Sequence, residues 1–167
     1  IGLLVMSGTA RGETEVFLDQ SEWEAAAGDF VTLDFTGYPE GTVLSDQYAD
    51  LGVMFPDGND LFDANNGFND GWGAKDIFFD GINMVFDEPR TMFAVQFVGR
   101  INVDFYLGDE VVYNSLSWGV GPAFVGFKSD MPFDRAFIFD GTDGAVFIAD
   151  TLIGPPIRAP PAWLLMF

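Results

Sequence analysis

The sequence predicts an all-β fold, a two-sheet antiparallel β-sandwich with one short N-terminal helix. Three observations carry this. Apolar and polar residues alternate with period two in segment after segment, the pattern of strands that bury one face. Turn residues punctuate these segments at roughly ten-residue spacing, as in sandwiches. And 19 of the 167 residues are phenylalanine, the kind of large apolar side chain that fills the space between two stacked sheets.

Taken in order, Asp19 to Gly28 reads as the helix, with Asp19 or Ser21 as N-cap and Gly28 as the stop. Val31, Leu33 and Phe35 alternate with Thr32, Asp34 and Thr36 as a strand. Ser45 to Gly52 predicts one or two helical turns. Further strands are predicted at Ile77–Phe79, Met84–Phe86 and Phe93–Phe97. Ile101, Val103, Phe105 and Leu107 alternate with Asn102, Asp104 and Tyr106, the cleanest strand pattern in the chain. Val111–Asn114, Ala123–Phe127, Arg135–Asp140 and Ala145–Asp150 complete the set. Asp80-Gly81, Gly108-Asp109 and Gly141 to Gly144 supply turns. Pro89 and Pro132 are expected just before strands, where a missing N–H is tolerated. About nine short strands of this kind point to a jelly roll, and Val16 to Leu152 reads as one unit without an internal boundary.

Composition removes much chemistry. Acidic residues number 26 against 7 basic ones, a net charge of −19. Nucleic acid needs a basic face, and an anionic membrane surface repels such a chain, so neither is an expected partner. There is no histidine and no cysteine, which excludes His-based triads, thiol chemistry, disulfides and most zinc sites. No Gly-x-Ser-x-Gly, Walker loop or dinucleotide fingerprint occurs. Carboxylate chemistry, binding of a hard cation, or binding without chemistry are left.

The ends read as processing signals. Ile1 to Met6 is apolar but too short to span a bilayer, and Ser7-Gly8-Thr9-Ala10 places small residues at −3 and −1 of a cut after Ala10, as in the back half of a secretory signal peptide. The expected organisation is therefore a signal remnant over 1–10, a sandwich domain over 11–154, and a Pro-rich linker over 155–167. The tail, Pro155-Pro156-Ile157-Arg158-Ala159-Pro160-Pro161 followed by Ala162-Trp163-Leu164-Leu165-Met166-Phe167, resembles the opening of the PEP-CTERM sorting signal of exported bacterial proteins processed by exosortases. It lacks that signal's Glu, helix and basic tail, so this reading makes the chain a piece clipped at both ends.

The continuous stretch Thr32 to Phe55, with Asp34-Phe35, the turn at Gly37, Gly41-Thr42 and then Gln47-Tyr48-Ala49-Asp50-Leu51-Gly52-Val53-Met54-Phe55, resembles a segment of the same exported bacterial β-sandwich group, as do Phe133 to Asp140 and Val146 to Asp150. The resemblance implies a jelly roll (galactose-binding-like) similar to carbohydrate-binding modules, and secretion or a bacterial cell-surface location. It also implies a calcium ion linking the first core strand to the last, here at Asp34 and Asp150. Phe35-Thr36 stands where such modules often have Phe-Glu, which removes one carboxylate.

Two further site readings come from the residues. Asp57, Asn59, Asp60, Asp63, Asn65, Asn66, Asn69, Asp70 and Asp76 crowd one acidic stretch read as a loop. Asp57, Asp60 and Asp63 are the candidate calcium ligands there, since calcium takes six to eight oxygens; the EF-hand spacing fails at Gly67 and Phe68. Such residues are equally the usual ones of a solvated loop. Trp72 and Trp118 are candidate stacking platforms for a sugar ring, with Asn69 and Asp70 holding its hydroxyls; equally, each Trp caps the sandwich rim. The expected function is a secreted, non-catalytic cell-surface or extracellular-matrix sandwich binding calcium and polysaccharide, with no catalytic residue assigned and the oligomeric state open. The alternatives are a carboxylate-dependent glycan-cleaving enzyme on a jelly roll, or a structural matrix or filament subunit.

Overall fold

The structure, a computed structural model, describes residues 13–39, 41–57, 60–63, 72–76, 81–115, 118–119, 123–140 and 146–157. The export-like stretch over 1–10 and the end of the tail from 158 lie outside these residues, as do the expected strand at 77–79 and the turn at 141–144.

The described residues are mostly antiparallel β-sheet, with one short α-helix among them. The strands are β1 (Thr14–Phe17), β2 (Val31–Leu33), β3 (Val53–Met54), β4 (Asp60–Asp63), β5 (Trp72–Asp76), β6 (Ile82–Val98), β7 (Asn102–Leu107), β8 (Glu110–Asn114), β9 (Ala123–Phe139) and β10 (Val146–Ile153). The acidic stretch read as a loop thus contains a hairpin: β4 pairs with β5 from Asp60↔Lys75 to Asp63↔Trp72, and β5 in turn pairs with β10. Pairing supplies the backbone partners that the composition of this stretch gave no reason to expect.

Two 17-residue strands organise everything. The second half of β6 pairs with the first half of β9, Phe93↔Phe127 to Phe97↔Ala123. This core, flanked by β10 and β1, forms the first leaf. The first half of β6 pairs with the second half of β9, Ile82↔Ile138 to Val85↔Arg135, and β3, β7 and β8 extend the second leaf. Between the leaves the ladder shifts register at Val85/Arg90 and Arg90/Met92. Pro89 and Pro132 sit inside these long strands, at the corner where they pass from leaf to leaf, and not before separate short strands. A bend with broken pairing is where a residue without an N–H costs least.

The inner faces meet in an aromatic core. Phe105 stacks on Phe133 at 4.2 Å and 13°, and meets Phe127 edge-on at 5.2 Å and Phe93 at 5.7 Å. All four rings are fully buried.

The helix α1 (Gln20–Ala27) starts at Asp19, whose carboxylate accepts from the Glu22 N–H at 3.0 Å, and stops at Gly28 with φ +70°. It lies on the outer face of the first leaf. Trp23 is fully buried there with Met92, Ala94 and Leu152, and its Nε1 donates to the Phe127 carbonyl at 3.1 Å. Gly126 lies directly beneath the indole, so that any Cβ would collide with it. The expected turn at Ser45–Gly52 is a short 3-10 segment over Ala49–Leu51, ended by Gly52 in the left-handed region. The helix closes one outer face; among the described residues no helix covers the other.

Truncating the central ring should cost most. Phe105→Ala is expected to lower the unfolding free energy by about 3–5 kcal/mol, read by urea denaturation; a loss under about 1 kcal/mol would show that the leaves do not depend on this ring.

Candidate functional site

The outer face of the second leaf, over which no helix lies among the described residues, is built by strand register. Alternation sends Met84, Val103, Phe105, Ala136 and Ile138 inward, so Asn83, Val85, Asp104, Tyr106, Arg135, Phe137 and Phe139 fall on the opposite face. Pairing aligns them in rows. Asn83, Phe137, Asp104 and Asn114 lie side by side across four strands; Val85, Arg135, Tyr106 and Val111 form the next row.

Asn83, Tyr106, Arg135 and Phe137 line an open pocket of about 210 Å³. The Arg135 Cζ lies 4.1 Å from the centre of the Tyr106 ring, a cation–π contact. Phe137 stacks on Phe139 at 5.1 Å and 18°. Gly81, with φ +81°, makes room for this arrangement: a Cβ there would stand 2.7 Å from Phe137 Cε2. The Asn83 Oδ1 and the Arg135 Nε are both buried and have no hydrogen-bond partner. Asp104 lies beside Phe137. Burial pushes its carboxyl above the usual range, opposed by hydrogen bonds from the Asn114 side chain and the Ser115 backbone N–H. The pocket thus brings together aromatic surface, a cation, an unpaired donor and an unpaired acceptor on paired strands. Asn83, Tyr106, Arg135 and Phe137, the described residues of its lining, carry no carboxylate.

The sequence-predicted residues are placed as follows. Asp34 and Asp150 come together. The β2–β10 register runs Thr151↔Leu33 to Ile153↔Val31, and Asp34 and Asp150 are the next pair beyond it. Burial, then the charge of Asp34, raise the Asp150 carboxyl. The Asp34 carboxylate accepts from the Thr36 N–H and Oγ1 at 3.0 and 2.9 Å. This clamps a turn in which Phe35, a non-glycine residue, takes φ +56° and buries its ring against Tyr48 at 5.7 Å. The Tyr48 hydroxyl is buried without a partner, and its acidity is suppressed by burial first and then by Asp34.

Trp118 is no free platform. It bridges to Ile101 by two backbone hydrogen bonds and packs its half-buried ring 6.2 Å from Phe127, so it caps the sandwich rim. An aromatic ring at the mouth of a phenylalanine core gains more from that burial than from standing in water. Asp57 is exposed after Pro56. Asp60 and Asp63 begin and end β4, and Trp72 opens β5 opposite Asp63. Asn69 and Asp70 lie outside the described residues. Among the described residues no three acidic side chains converge on one point. Sequence reading missed Asn83, Tyr106, Arg135 and Phe137 as site residues; the available signal was that Tyr106, Phe137 and Phe139 are large aromatics on the outward phase of alternating strands.

No protein-family model matches the chain, and no match was found among curated proteins. Solved structures similar to it include three variants of CBM29-2, described as probing the mechanism of ligand recognition by family 29 carbohydrate-binding modules. Each is 11% identical to this chain. They cover 80%, 80% and 86% of it and 99%, 100% and 92% of their own lengths, with TM-scores of 0.39, 0.41 and 0.34.

The Asp34–Asp150 pair gives a pH signature. A raised folded-state pKa means the folded chain holds the Asp150 proton more tightly than the unfolded one. That stability is present in full below the ordinary value of 3.8 and is lost as pH rises through the raised one. In calcium-free buffer, Asp150→Asn is therefore expected to raise the melting temperature at pH 7, with the gain shrinking towards pH 3; an equal gain at both pH values would show that the pair is not strained by charge.

Proposed function

We propose that this chain is a non-catalytic carbohydrate-binding β-sandwich, exported and held at the bacterial cell surface or in the extracellular matrix. The observation that carries the binding reading is the open leaf. Tyr106 and Phe137 flank a pocket in which the Asn83 Oδ1 and the Arg135 Nε lack partners. Sugar rings present apolar C–H faces that lie on aromatics and hydroxyls that both donate and accept, which is the complement of this set. The pocket is smaller than the roughly 300–1,000 Å³ that engulfs a drug-sized ligand, so it suits one residue of a longer chain running over the sheet. Export rests on the signal-like Ser7 to Ala10 and on the tail that resembles a sorting signal.

Calcium is a structural part of the proposal. Asp34, Asp150 and the unpartnered Tyr48 hydroxyl present three oxygen groups near the junction of β2 and β10. Two carboxylates alone fall short of the six to eight oxygens calcium takes, so carbonyls and water would complete its shell. A cation there would relieve the repulsion between the two aspartates.

Two measurements test the proposal. In affinity electrophoresis against a panel of neutral and acidic polysaccharides, Tyr106→Ala and Phe137→Ala are each expected to weaken binding about tenfold. No reducing ends should be released and the melting temperature should change little. Retained binding in both variants, or turnover, would overturn the assignment. Millimolar calcium is expected to raise the melting temperature of the wild type and not of Asp150→Asn; an equal rise in both would remove the ion from this position.

A further inference from the structure

The pocket holds a cation, Arg135, that has no ion-pair partner among the described residues. With 26 acidic residues and 7 basic ones, a basic side chain in this protein has carboxylates in excess around it. Arg90 has one from Asp87 at 3.0 Å, and Lys128 has one from Glu15 at 3.9 Å. Arg135 forms no ion pair among the described residues, and its Nε is buried without an acceptor. Its neighbours across the sheet are Val85 and Tyr106, with Val111 beyond. Asp134, its neighbour in sequence, and Asp104, on the adjacent row, each have other partners. The Asp134 carboxylate accepts from the Gly108 N–H at 3.0 Å. Asp104, on the adjacent row, takes hydrogen bonds from Asn114 and Ser115.

Resting on the carbohydrate-binding reading above, we infer that the sugar residue seated in this pocket carries a carboxylate, so the glycan recognised is one containing uronic acid residues. A guanidinium held against the Tyr106 ring keeps its N–H fork to offer, and a planar carboxylate is the partner that fork fits best. A neutral sugar gives it hydroxyls alone and leaves the cation without a counter-charge. The Asn83 Oδ1, lining the same pocket, accepts from a hydroxyl of the same ring. The net charge of −19 opposes a polyanion at long range, but at physiological salt that field decays within about 8 Å. The contact at a half-buried guanidinium is screened far less, so the pocket decides selectivity.

The test compares short oligogalacturonates and oligoalginates with the same oligosaccharides after reduction of their carboxyl groups, by calorimetry at 150 mM salt. Linkage and ring configuration are retained, and each carboxylate becomes a neutral hydroxymethyl group. The wild type is expected to bind at least one acidic form about tenfold or more tighter than its reduced counterpart. Arg135→Gln should bring binding of the acidic form down to the level of its reduced counterpart, removing the difference, and Arg135→Lys should restore part of it. Circular dichroism confirms that each variant is folded. Equal binding of acidic and reduced forms, or a preference that survives in Arg135→Gln, would overturn the inference and leave the carbohydrate-binding reading standing. Absence of binding to these oligosaccharides and to the neutral panel alike would overturn both.

Discussion

The fold depends on one ring. Phe105, from the centre of β7, stacks on Phe133 and meets Phe93 and Phe127 edge-on. Phe133 lies at the corner of β9, whereas Phe93 and Phe127 belong to the opposite leaf. The ring therefore sets how far apart the two leaves stand. Once that separation is fixed, the alternation of each strand decides what reaches the outside. Helix α1 follows one strand, β1, that lies on the first leaf, so its Trp23 closes that leaf's outer face. The second leaf is left with Asn83, Asp104, Tyr106, Arg135 and Phe137 facing out.

How much of this is legible in the sequence varies with the range of the interaction. The helix was readable with its N-cap narrowed to Asp19 or Ser21 and its stop at Gly28, because caps act on their own neighbours; the structure uses Asp19. The Ile101 to Leu107 pattern likewise placed β7, since period-two alternation is a property of the strand alone. The two long strands were not readable. Met84–Phe86 and Phe93–Phe97 are halves of β6, and Ala123–Phe127 and Arg135–Asp140 fall in or next to β9. The alternation of each half is broken at Pro89 and Pro132, and a local pattern cannot distinguish a bent strand from two strands. The hairpin of β4 and β5 was hidden for a related reason. Asp, Asn and Gly signal turns through local hydrogen bonds, whereas the pairing with β10 that orders this stretch joins residues some seventy positions apart.

The candidate sites divide along the same line. The meeting of Asp34 and Asp150 was anticipated by resemblance, and it appears because β2 and β10 are ladder neighbours. The aromatic face was missed, although Tyr106 and Phe137 occupy outward positions of recognisable strands. A tryptophan in a turn attracts attention as a sugar platform, yet Trp118 turns back onto Phe127. The residues that line the pocket come from β6, β7 and β9, spread over more than fifty positions, and only the Asn83↔Phe137 and Tyr106↔Arg135 registers bring them together.

Unpaired polar atoms separate a site from a surface. A buried donor or acceptor without a partner costs about 1–3 kcal/mol, so a fold retains such atoms where something other than its own chain satisfies them, or where packing leaves no choice. Trp118 Nε1 and Arg90 Nε belong to side chains pinned by the corner and rim of the sandwich. Asn83 Oδ1 and Arg135 Nε are different: they are an acceptor and a donor on adjacent strands, and both residues line the same open pocket beside two aromatic rings. Strand register holds them before any ligand arrives, so little ordering is required on binding. A ligand that presents a hydroxyl to one and an anionic oxygen to the other removes both penalties at once. Among the described residues, this face is where an unpaired donor, an unpaired acceptor and two aromatic rings share one pocket.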